Sequence, residues 1–212
     1  MRKKFSFRRL ISLTLASIVA VGGSIVAIDA PAQAVNGDTS EIDYALSLGA
    51  GQAVYAQDAN ALDLSANLTF ETWYKVATND SRLLLNKENA FEFGVDPNGN
   101  FIYALQSGGN WDWNNTGIVI PTGQWVHIGF TKSNTTSTLY VNGQSMWTQT
   151  GGKTTTSPTI DANPATITNQ TSVLTIGGRA VVNTGIGSMA TGGAGLTLDE
   201  IKLWSTARTQ SD

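Results

Sequence analysis

The chain has 212 residues, of which only 14% are charged, and it contains 22 glycines and no cysteine. This length suits one domain of ordinary size plus a targeting segment. Gly, Thr, Ser and Asn abound, and aromatic and β-branched residues are spread evenly between them, which favours short strands and turns over helices. We therefore predict an all-β domain whose stability does not rest on disulfides.

The N-terminus has the three parts of a secretory signal peptide. The basic start MRKKFSFRRL precedes an uncharged stretch from Leu10 to Ile28 and the small-residue site Ala32-Gln-Ala34. This order predicts a signal peptide over residues 1–34, with cleavage after Ala34, and hence a secreted or cell-surface protein. A retained membrane anchor is the alternative, because the 19 uncharged residues are just long enough to span a bilayer.

Removal of residues 1–34 leaves 8 Lys and Arg against 15 Asp and Glu, a net charge of −7. Such a surface repels phosphate backbones, and no basic cluster offsets it. Nucleic acid is therefore not expected as a partner. A membrane is expected as a partner only through an uncleaved N-terminal segment.

Residues 35–43 are small and polar and are predicted to form a short linker to a domain over residues 44–212. The domain contains short strand-like runs at a regular spacing that is typical of a β-sandwich. In chain order these are Tyr44–Leu48, Ala53–Ala56, Leu68–Ala77, Arg82–Leu85, Phe91–Val95, Phe101–Leu105, Gly117–Ile120, Trp125–Lys132, Ser137–Val141, Gln144–Thr148, Val173–Ile176 and Leu196–Trp204.

Two of the connections between these runs have the sequences of tight turns. They are Asp96-Pro-Asn-Gly-Asn100 and Asn142-Gly143, and both predict antiparallel hairpins because Asn-Gly permits positive φ angles. The Thr-rich stretch from Lys153 to Thr171 is predicted to be a long surface loop. No segment has a sustained helical period.

The segment GGNWDWNNTG, residues 108–117, is a candidate binding site. In an extended chain Trp111 and Trp113 project to the same side. Exposed indole rings stack on sugar rings, and neighbouring groups such as the Asn114 amide bind hydroxyls. We predict a ligand site of Trp111, Trp113 and Asn114, with one ring packed and one partly exposed, and Trp147 as a weaker candidate. The alternative is a strand that faces its core.

Four phrases of the domain resemble successive parts of one family. They are YALSLGAGQAVYAQDANALDLSANLTFETWYKV, GQWVHIGFTKSNTTSTLYVNGQ, LTIGGR and LTLDEIKLWSTARTQSD, and they are similar to laminin-G-like domains of the concanavalin A-like lectin and glucanase superfamily. The resemblance covers residues 44–212 and implies a jelly-roll sandwich of two curved antiparallel sheets. It also implies that Phe70, Trp73 and Val76 are structural, and that the chain is truncated or continues into another module.

The resemblance also implies a structural calcium ion near the edge of the sandwich, with Asp199 as the matching carboxylate. Relatives often have Phe-Asp-Gly where this chain has Leu48-Gly49-Ala50, so one carboxylate is missing. Asp43 and Asp58 are candidates to replace it. The alternative for Asp199 is a hydrogen-bonding residue at the start of a strand.

Catalysis is the runner-up function, because the superfamily includes glucanases with alternate carboxylates on one strand. No E-x-D-x-E sequence occurs here. Glu88, Glu92 and Asp96 recur at four-residue steps, which in a strand span about 13 Å, beyond the roughly 5–9.5 Å that glycosidases use. His127 has no nucleophile or metal ligand near it in sequence and is predicted to be structural.

We therefore predict a non-catalytic recognition module that binds a glycan or a cell-surface protein. The alternatives are a glycoside hydrolase and a structural spacer. Two carboxyl groups at glycosidase distance in the binding groove would favour the enzyme, whereas an aromatic rim without them would favour the binding module.

Overall fold

The structure, a computed structural model, describes residues 45–181, 185–186 and 195–211. The predicted signal peptide (residues 1–34) and linker (residues 35–43) lie outside these ranges. Within them the chain forms short strands and one 3₁₀ turn at Asn60–Leu62. The strands are β1 (Leu46–Leu48), β2 (Val54–Ala56), β3 (Asn67–Lys75), β4 (Arg82–Lys87), β5 (Phe91–Val95), β6 (Asn100–Leu105), β7 (Asn114–Val119), β8 (Val126–Ser133), β9 (Thr136–Val141), β10 (Gln144–Thr150), β11 (Leu174–Ile176), β12 (Ala180–Val181), β13 (Gly185–Ile186) and β14 (Leu196–Trp204).

Twelve of these strands form two six-stranded antiparallel sheets, which confirms the predicted all-β jelly-roll sandwich. The first sheet has the order β1-β14-β3-β8-β9-β10, and the second has the order β2-β11-β4-β5-β6-β7. Among the described residues, strands β12 and β13 pair with each other and with no other strand. In the described part of the chain, no helix has the length and hydrophobicity that a membrane span requires.

Aromatic side chains between the sheets form the centre of the core. The Phe70 ring of the first sheet stacks on the Phe93 ring of the second, with their centroids 5.0 Å apart. Phe130 lies 5.0 Å from Phe93 and 4.7 Å from Tyr103. All four side chains are buried. Because each ring removes a large apolar area from water, these contacts fix the two sheets against each other.

Strand β3 shows the alternation that separates the core from the outer surface. Leu68, Phe70 and Tyr74 point inward and are buried, whereas Trp73 belongs to the other set and is 37% exposed on the outer face of the first sheet. The expectation that Trp73 is structural, like Phe70 and Val76, is therefore wrong for Trp73. Successive side chains of a strand point to opposite faces, and in LTFETWYKV this alternation places Trp73 on the face opposite to Phe70 and Val76.

Both predicted hairpins are confirmed. Asn142 and Gly143 have φ angles of 51° and 74° and join β9 to β10 by a two-residue turn. In the hairpin that joins β5 to β6, Asp96 Oδ1 accepts hydrogen bonds from the backbone amides of Asn98 and Asn100 at 2.8 and 2.9 Å. Burial alone would raise the pKa of Asp96. The two backbone hydrogen bonds, together with two from the side-chain amides of Asn100 and Asn115, outweigh burial and lower this pKa, so the charged form of Asp96 stabilises the turn.

Candidate functional site

The two tryptophans of the predicted binding segment lie between β6 and β7 and contact each other. Their ring centroids are 6.0 Å apart, and their planes are 84° apart. Both Trp111 and Trp113 are half-buried, so the predicted split into one packed and one exposed ring is not what the structure shows. Perpendicular rings do not form one flat platform, and a sugar ring can stack on only one of them.

The predicted surface loop holds this tryptophan segment in place. Strand β7 begins at Asn114, three residues before the predicted start, so Trp113 lies directly next to a strand. The backbone oxygen of Trp113 accepts hydrogen bonds from the hydroxyls of Thr155 and Thr156 at 3.4 and 3.1 Å. The position of Trp113 is therefore fixed on two sides, by β7 and by the loop.

Trp111 covers an arginine that joins two carboxylates. The guanidinium carbon of Arg179 lies 4.7 Å from the centre of the Trp111 ring. Arg179 Nε donates to Glu88 Oε2 at 2.7 Å, and Nη2 donates to Glu88 Oε1 and to Glu92 Oε1, both at 3.1 Å. We refer to Asn86, Glu88, Glu92, Trp111 and Arg179 as the Arg179 cluster.

The strand geometry explains why the two carboxylates meet on the outer side of the second sheet. Phe91 and Phe93 of β5 point into the core, so Glu92 between them points outward. Glu88 lies in the three-residue connection between β4 and β5, where Asn89 has a φ angle of 59°. The chain thus reverses direction between Glu88 and Glu92. The separation of about 13 Å expected for one continuous strand is wrong for this pair.

The electrostatics of the cluster depend on burial. Glu92 is only 2% exposed. Burial raises the pKa of Glu92 to about 8; the positive charge of Arg179 opposes the shift and the neighbouring Glu88 adds to it. Burial alone would lower the pKa of Arg179. Its hydrogen bonds and ion pairs with Glu88 and Glu92 have the larger, opposite effect, so the pKa of Arg179 is raised. The guanidinium therefore stays charged, while the raised pKa keeps Glu92 protonated at neutral pH.

Part of the polar surface under the arginine has no hydrogen-bond partner. Thr175, Asn86 and Glu92 stand opposite one another on three adjacent strands, so their side chains share the outer face. Among the described residues, Glu92 Oε2 and Thr175 Oγ1 are buried without a partner. Such atoms are rare in folded proteins, and they are accounted for when a water molecule or a ligand supplies the missing hydrogen bond.

The structure places the other two predicted ligand residues elsewhere. Asn114 is buried, and its Nδ2 donates to the Tyr103 hydroxyl at 2.7 Å and to Gln149 Oε1 at 3.1 Å. Trp147 of β10 is partly buried against the core, where its ring meets that of Tyr103 edge-on at 5.7 Å. Both positions are suited to packing between the sheets rather than to contact with a ligand at Trp111.

The calcium ion that the resemblance implies at Asp199 stays a prediction, because such a site also uses backbone carbonyl oxygens. Asp199 Oδ1 accepts a hydrogen bond from the Glu200 amide at 2.7 Å, at an irregularity in the pairing of β14 with β3. Asp58 forms an ion pair with Lys87 of the second sheet, and Asp43 lies outside the described residues. In the described ranges, no group of three His, Cys, Asp or Glu residues is suited to hold a metal ion.

Sequence reasoning missed Arg179, although it is the residue that joins the cluster. It follows the short strand β11 and lies 91 positions from Glu88 and 87 from Glu92. Nothing in local spacing connects residues so far apart. The one signal in the sequence for the turn after Glu88 is Asn89, because Asn tolerates the left-handed backbone conformation.

The fold is similar to those of solved carbohydrate-binding domains. One is domain 4 of AbnA, a GH43 extracellular arabinanase from Geobacillus stearothermophilus, in complex with arabinotriose, at a TM-score of 0.54 and 19% identity over 92% of this chain and 78% of that one. Another is the CBM40 of the Ruminococcus gnavus IT-sialidase bound to α2,3 sialyllactose, at a TM-score of 0.55 and 14% identity over 79% of this chain and 92% of that one. At these identities the likeness establishes the fold.

No curated protein matches the chain in sequence. The Laminin G 3 family, described as the concanavalin A-like lectin/glucanases superfamily, matches residues 48–212. That range contains both sheets apart from the first two residues of β1, together with the tryptophan segment and the Arg179 cluster. The chain therefore belongs to the Laminin G 3 family of the concanavalin A-like lectin/glucanase superfamily.

Proposed function

We propose that this protein is an exported, non-catalytic module that binds a glycan at the Arg179 cluster. One observation carries the proposal: an indole ring lies on the outer face of a sheet beside a buried set of polar groups. Trp111 provides an apolar surface for a sugar ring, and the Arg179 side chain, which is 31% exposed, provides hydrogen-bond donors for hydroxyls.

The charges of the cluster favour a neutral ligand. One guanidinium faces two carboxylates, so the net charge is zero when Glu92 is protonated and −1 when it is ionised. An acidic sugar finds no unpaired positive charge there. We expect the cluster to bind neutral arabinotriose more tightly than sialyllactose, the two sugars present in the similar structures. Titration calorimetry with both sugars tests this, and preference for sialyllactose would contradict it.

Two tryptophan variants separate binding from packing. We expect Trp111→Ala to fold normally and to bind about 2- to 13-fold more weakly, because a stacking contact is worth about 0.5–1.5 kcal/mol beyond burial. Truncating a fully packed aromatic ring usually costs about 3–5 kcal/mol of stability. Because Trp113 is only half-buried, we expect Trp113→Ala to lower the free energy of unfolding by less than this. Thermal unfolding and calorimetric titration of each variant measure both effects.

The control for this pair is Met146→Ala, which truncates a side chain that is 48% exposed on β10, away from the cluster. It should change neither binding nor stability. If Trp111→Ala and Trp113→Ala both unfold at markedly lower temperature, and no sugar changes the tryptophan fluorescence of the wild type, the segment serves only to pack the fold.

A glycoside hydrolase remains the second candidate, because one observation favours it. Glu88 and Glu92 accept from the same nitrogen of Arg179, and the pKa of Glu92 is raised to about 8, as is usual for a glycosidase acid. Against it, both carboxylates are buried and already bound to Arg179, whereas a nucleophile must reach the sugar. Two weaker alternatives are a module that binds a surface protein and a structural spacer. Either would be favoured if no glycan binds in the titration.

The proposal of export rests on the N-terminal sequence alone. A basic start, an apolar stretch and Ala32-Gln-Ala34 are the parts of a cleavable signal. We expect material collected outside the cell to begin at Val35, as measured by intact mass. A chain that still begins at Met1 would instead indicate a membrane-anchored protein.

A further inference from the structure

A second aromatic surface lies on the outer side of the first sheet, remote in the fold from the Arg179 cluster on the second. Trp73 is 37% exposed and Trp125 is 39% exposed. Lys75 and His127 lie beside them, and we refer to these four residues as the Trp73 face. The side chains of Trp73, Lys75 and His127 share one side of the sheet, because Trp73 pairs with His127 and Lys75 lies two residues further along the same strand. Trp125 adjoins them through its contact with Lys75.

The four side chains are held by contacts with one another. The Trp73 and His127 rings meet edge-on, with their centroids 5.2 Å apart. The Lys75 ammonium lies 5.8 Å from the centre of the Trp125 ring. His127 Nε2 lies 3.9 Å from Glu71 Oε2. Trp73 is therefore positioned on a rigid sheet, and Trp125 lies directly before the first residue of β8.

The charges around the Trp73 face are largely balanced. Glu71 pairs with Arg208 at 3.2 Å, and Glu200 pairs with Lys202 at 2.7 Å. This balance contrasts with the net charge of −7 over residues 35–212. A charged partner would find little net attraction at this surface.

Polar groups between the rings distinguish the surface from the centre of a protein interface. Interface centres are depleted in charged residues and form one contiguous apolar patch. Here Lys75 and Glu71 lie on β3 on either side of Trp73, and Asp199 of β14 pairs with Trp73 in the sheet. Separated aromatic rings among hydrogen-bonding groups match a sugar polymer, whose rings have apolar faces and hydroxyl edges.

We propose that the Trp73 face is a second binding site, which takes an extended neutral polysaccharide along the outer side of the first sheet. Trp73 and Trp125 stack against separate sugar residues of one chain. Lys75, His127 and the neighbouring carboxylates bind hydroxyl groups between them. The site is independent of the Arg179 cluster, since its residues lie on the opposite sheet.

Affinity electrophoresis of the full chain tests the proposal. The gels contain hydroxyethyl cellulose or linear arabinan as neutral probes, and polygalacturonate as an anionic control. We expect at least one neutral polymer to retard the wild type and polygalacturonate not to do so. The double variant Trp73→Ala, Trp125→Ala should bind about tenfold more weakly, because it loses two stacking contacts. Its melting temperature should stay close to that of the wild type, because both rings are exposed.

Two control variants make the result specific. Met146→Ala removes an exposed apolar side chain outside the Trp73 face and should be retarded like the wild type. In gels of hydroxyethyl cellulose, Trp111→Ala should also be retarded, whereas in linear arabinan it removes a contact assigned to the Arg179 cluster; the comparison separates the two proposals. If the double variant fails to fold, the single variants Trp73→Ala and Trp125→Ala replace it, and each should weaken retardation.

Three results would overturn the proposal. In the first, neither neutral polymer retards the wild type. In the second, folded variants lacking Trp73 or Trp125 are retarded like the wild type. In the third, light scattering shows a dimer of the wild type that the double variant dissociates, which would make this surface an interface between two copies of the chain.

Discussion

Replacement of Arg179 by alanine should destabilise the protein by about 3 kcal/mol at pH 8, the low end of the usual cost of removing one partner of a buried ion pair. The low end applies because the Arg179 side chain is 31% exposed and solvent screens part of the interaction. The change leaves Glu88 and Glu92 close together without their shared cation. Urea unfolding of the two proteins measures the loss.

The loss should be smaller near pH 5. The pKa of Glu92 is raised to about 8 even with Arg179 present, so at pH 5 its carboxyl is protonated and removal of Arg179 breaks no ion pair with Glu92. The control is Lys202→Ala, which breaks an exposed pair with Glu200 at 2.7 Å. Such pairs contribute at most about 1 kcal/mol. Equal losses for Arg179→Ala at pH 5 and pH 8 would contradict the account of the cluster.

Glu92→Gln should make stability less dependent on pH. In the wild type, the folded protein keeps the Glu92 proton up to about pH 8, whereas the unfolded chain loses it near 4.5, the ordinary pKa of a glutamate side chain. Between these values the folded state binds more protons, so a rise in pH favours unfolding. Glutamine resembles the protonated acid and has no such titration. The variant should match the wild type near pH 4.5 and exceed it in stability at pH 8.

Glu200→Gln is the matched control, because it removes a carboxylate outside the cluster. Burial plays little part there, and the hydrogen bond and charge of Lys202 lower the pKa of Glu200. The fall in stability from pH 4.5 to pH 8 should therefore persist in this variant. Urea unfolding at four pH values across this range distinguishes the two, and a Glu92→Gln protein with the wild-type slope would show that Glu92 does not titrate there.

The fold could be predicted because its signals are local. Alternating apolar residues identified the strands, and Asn142-Gly143 identified a turn whose positive φ angles few other residue pairs accept. The predicted start of β7 is three residues late, because polar residues such as Asn114 and Thr116 do not have the pattern of core positions. Their burial depends on partners elsewhere, such as the Tyr103 hydroxyl that bonds to Asn114. A sequence pattern does not contain such partners.

The candidate site could be predicted only in part. Trp111 was identified from its glycine- and asparagine-rich surroundings, but its contact with Arg179 depends on the packing of the segment after β11 against β4 and β5. A continuous strand would hold Glu88 and Glu92 about 13 Å apart, and only the turn at Asn89 brings them together. Trp73 could have been assigned to the outer surface from alternation alone.

Analysis of the sugar after binding tests the central claim, that the Arg179 cluster binds a glycan without cleaving it. Arabinotriose is titrated into the wild type, Trp111→Ala and Glu92→Gln, and the recovered sugar is analysed by chromatography after prolonged incubation. We predict heat of binding with the wild type, a weaker response with Trp111→Ala, and intact trisaccharide in every sample. Shorter sugars released by the wild type but not by Glu92→Gln would contradict the claim and identify the protein as a glycoside hydrolase.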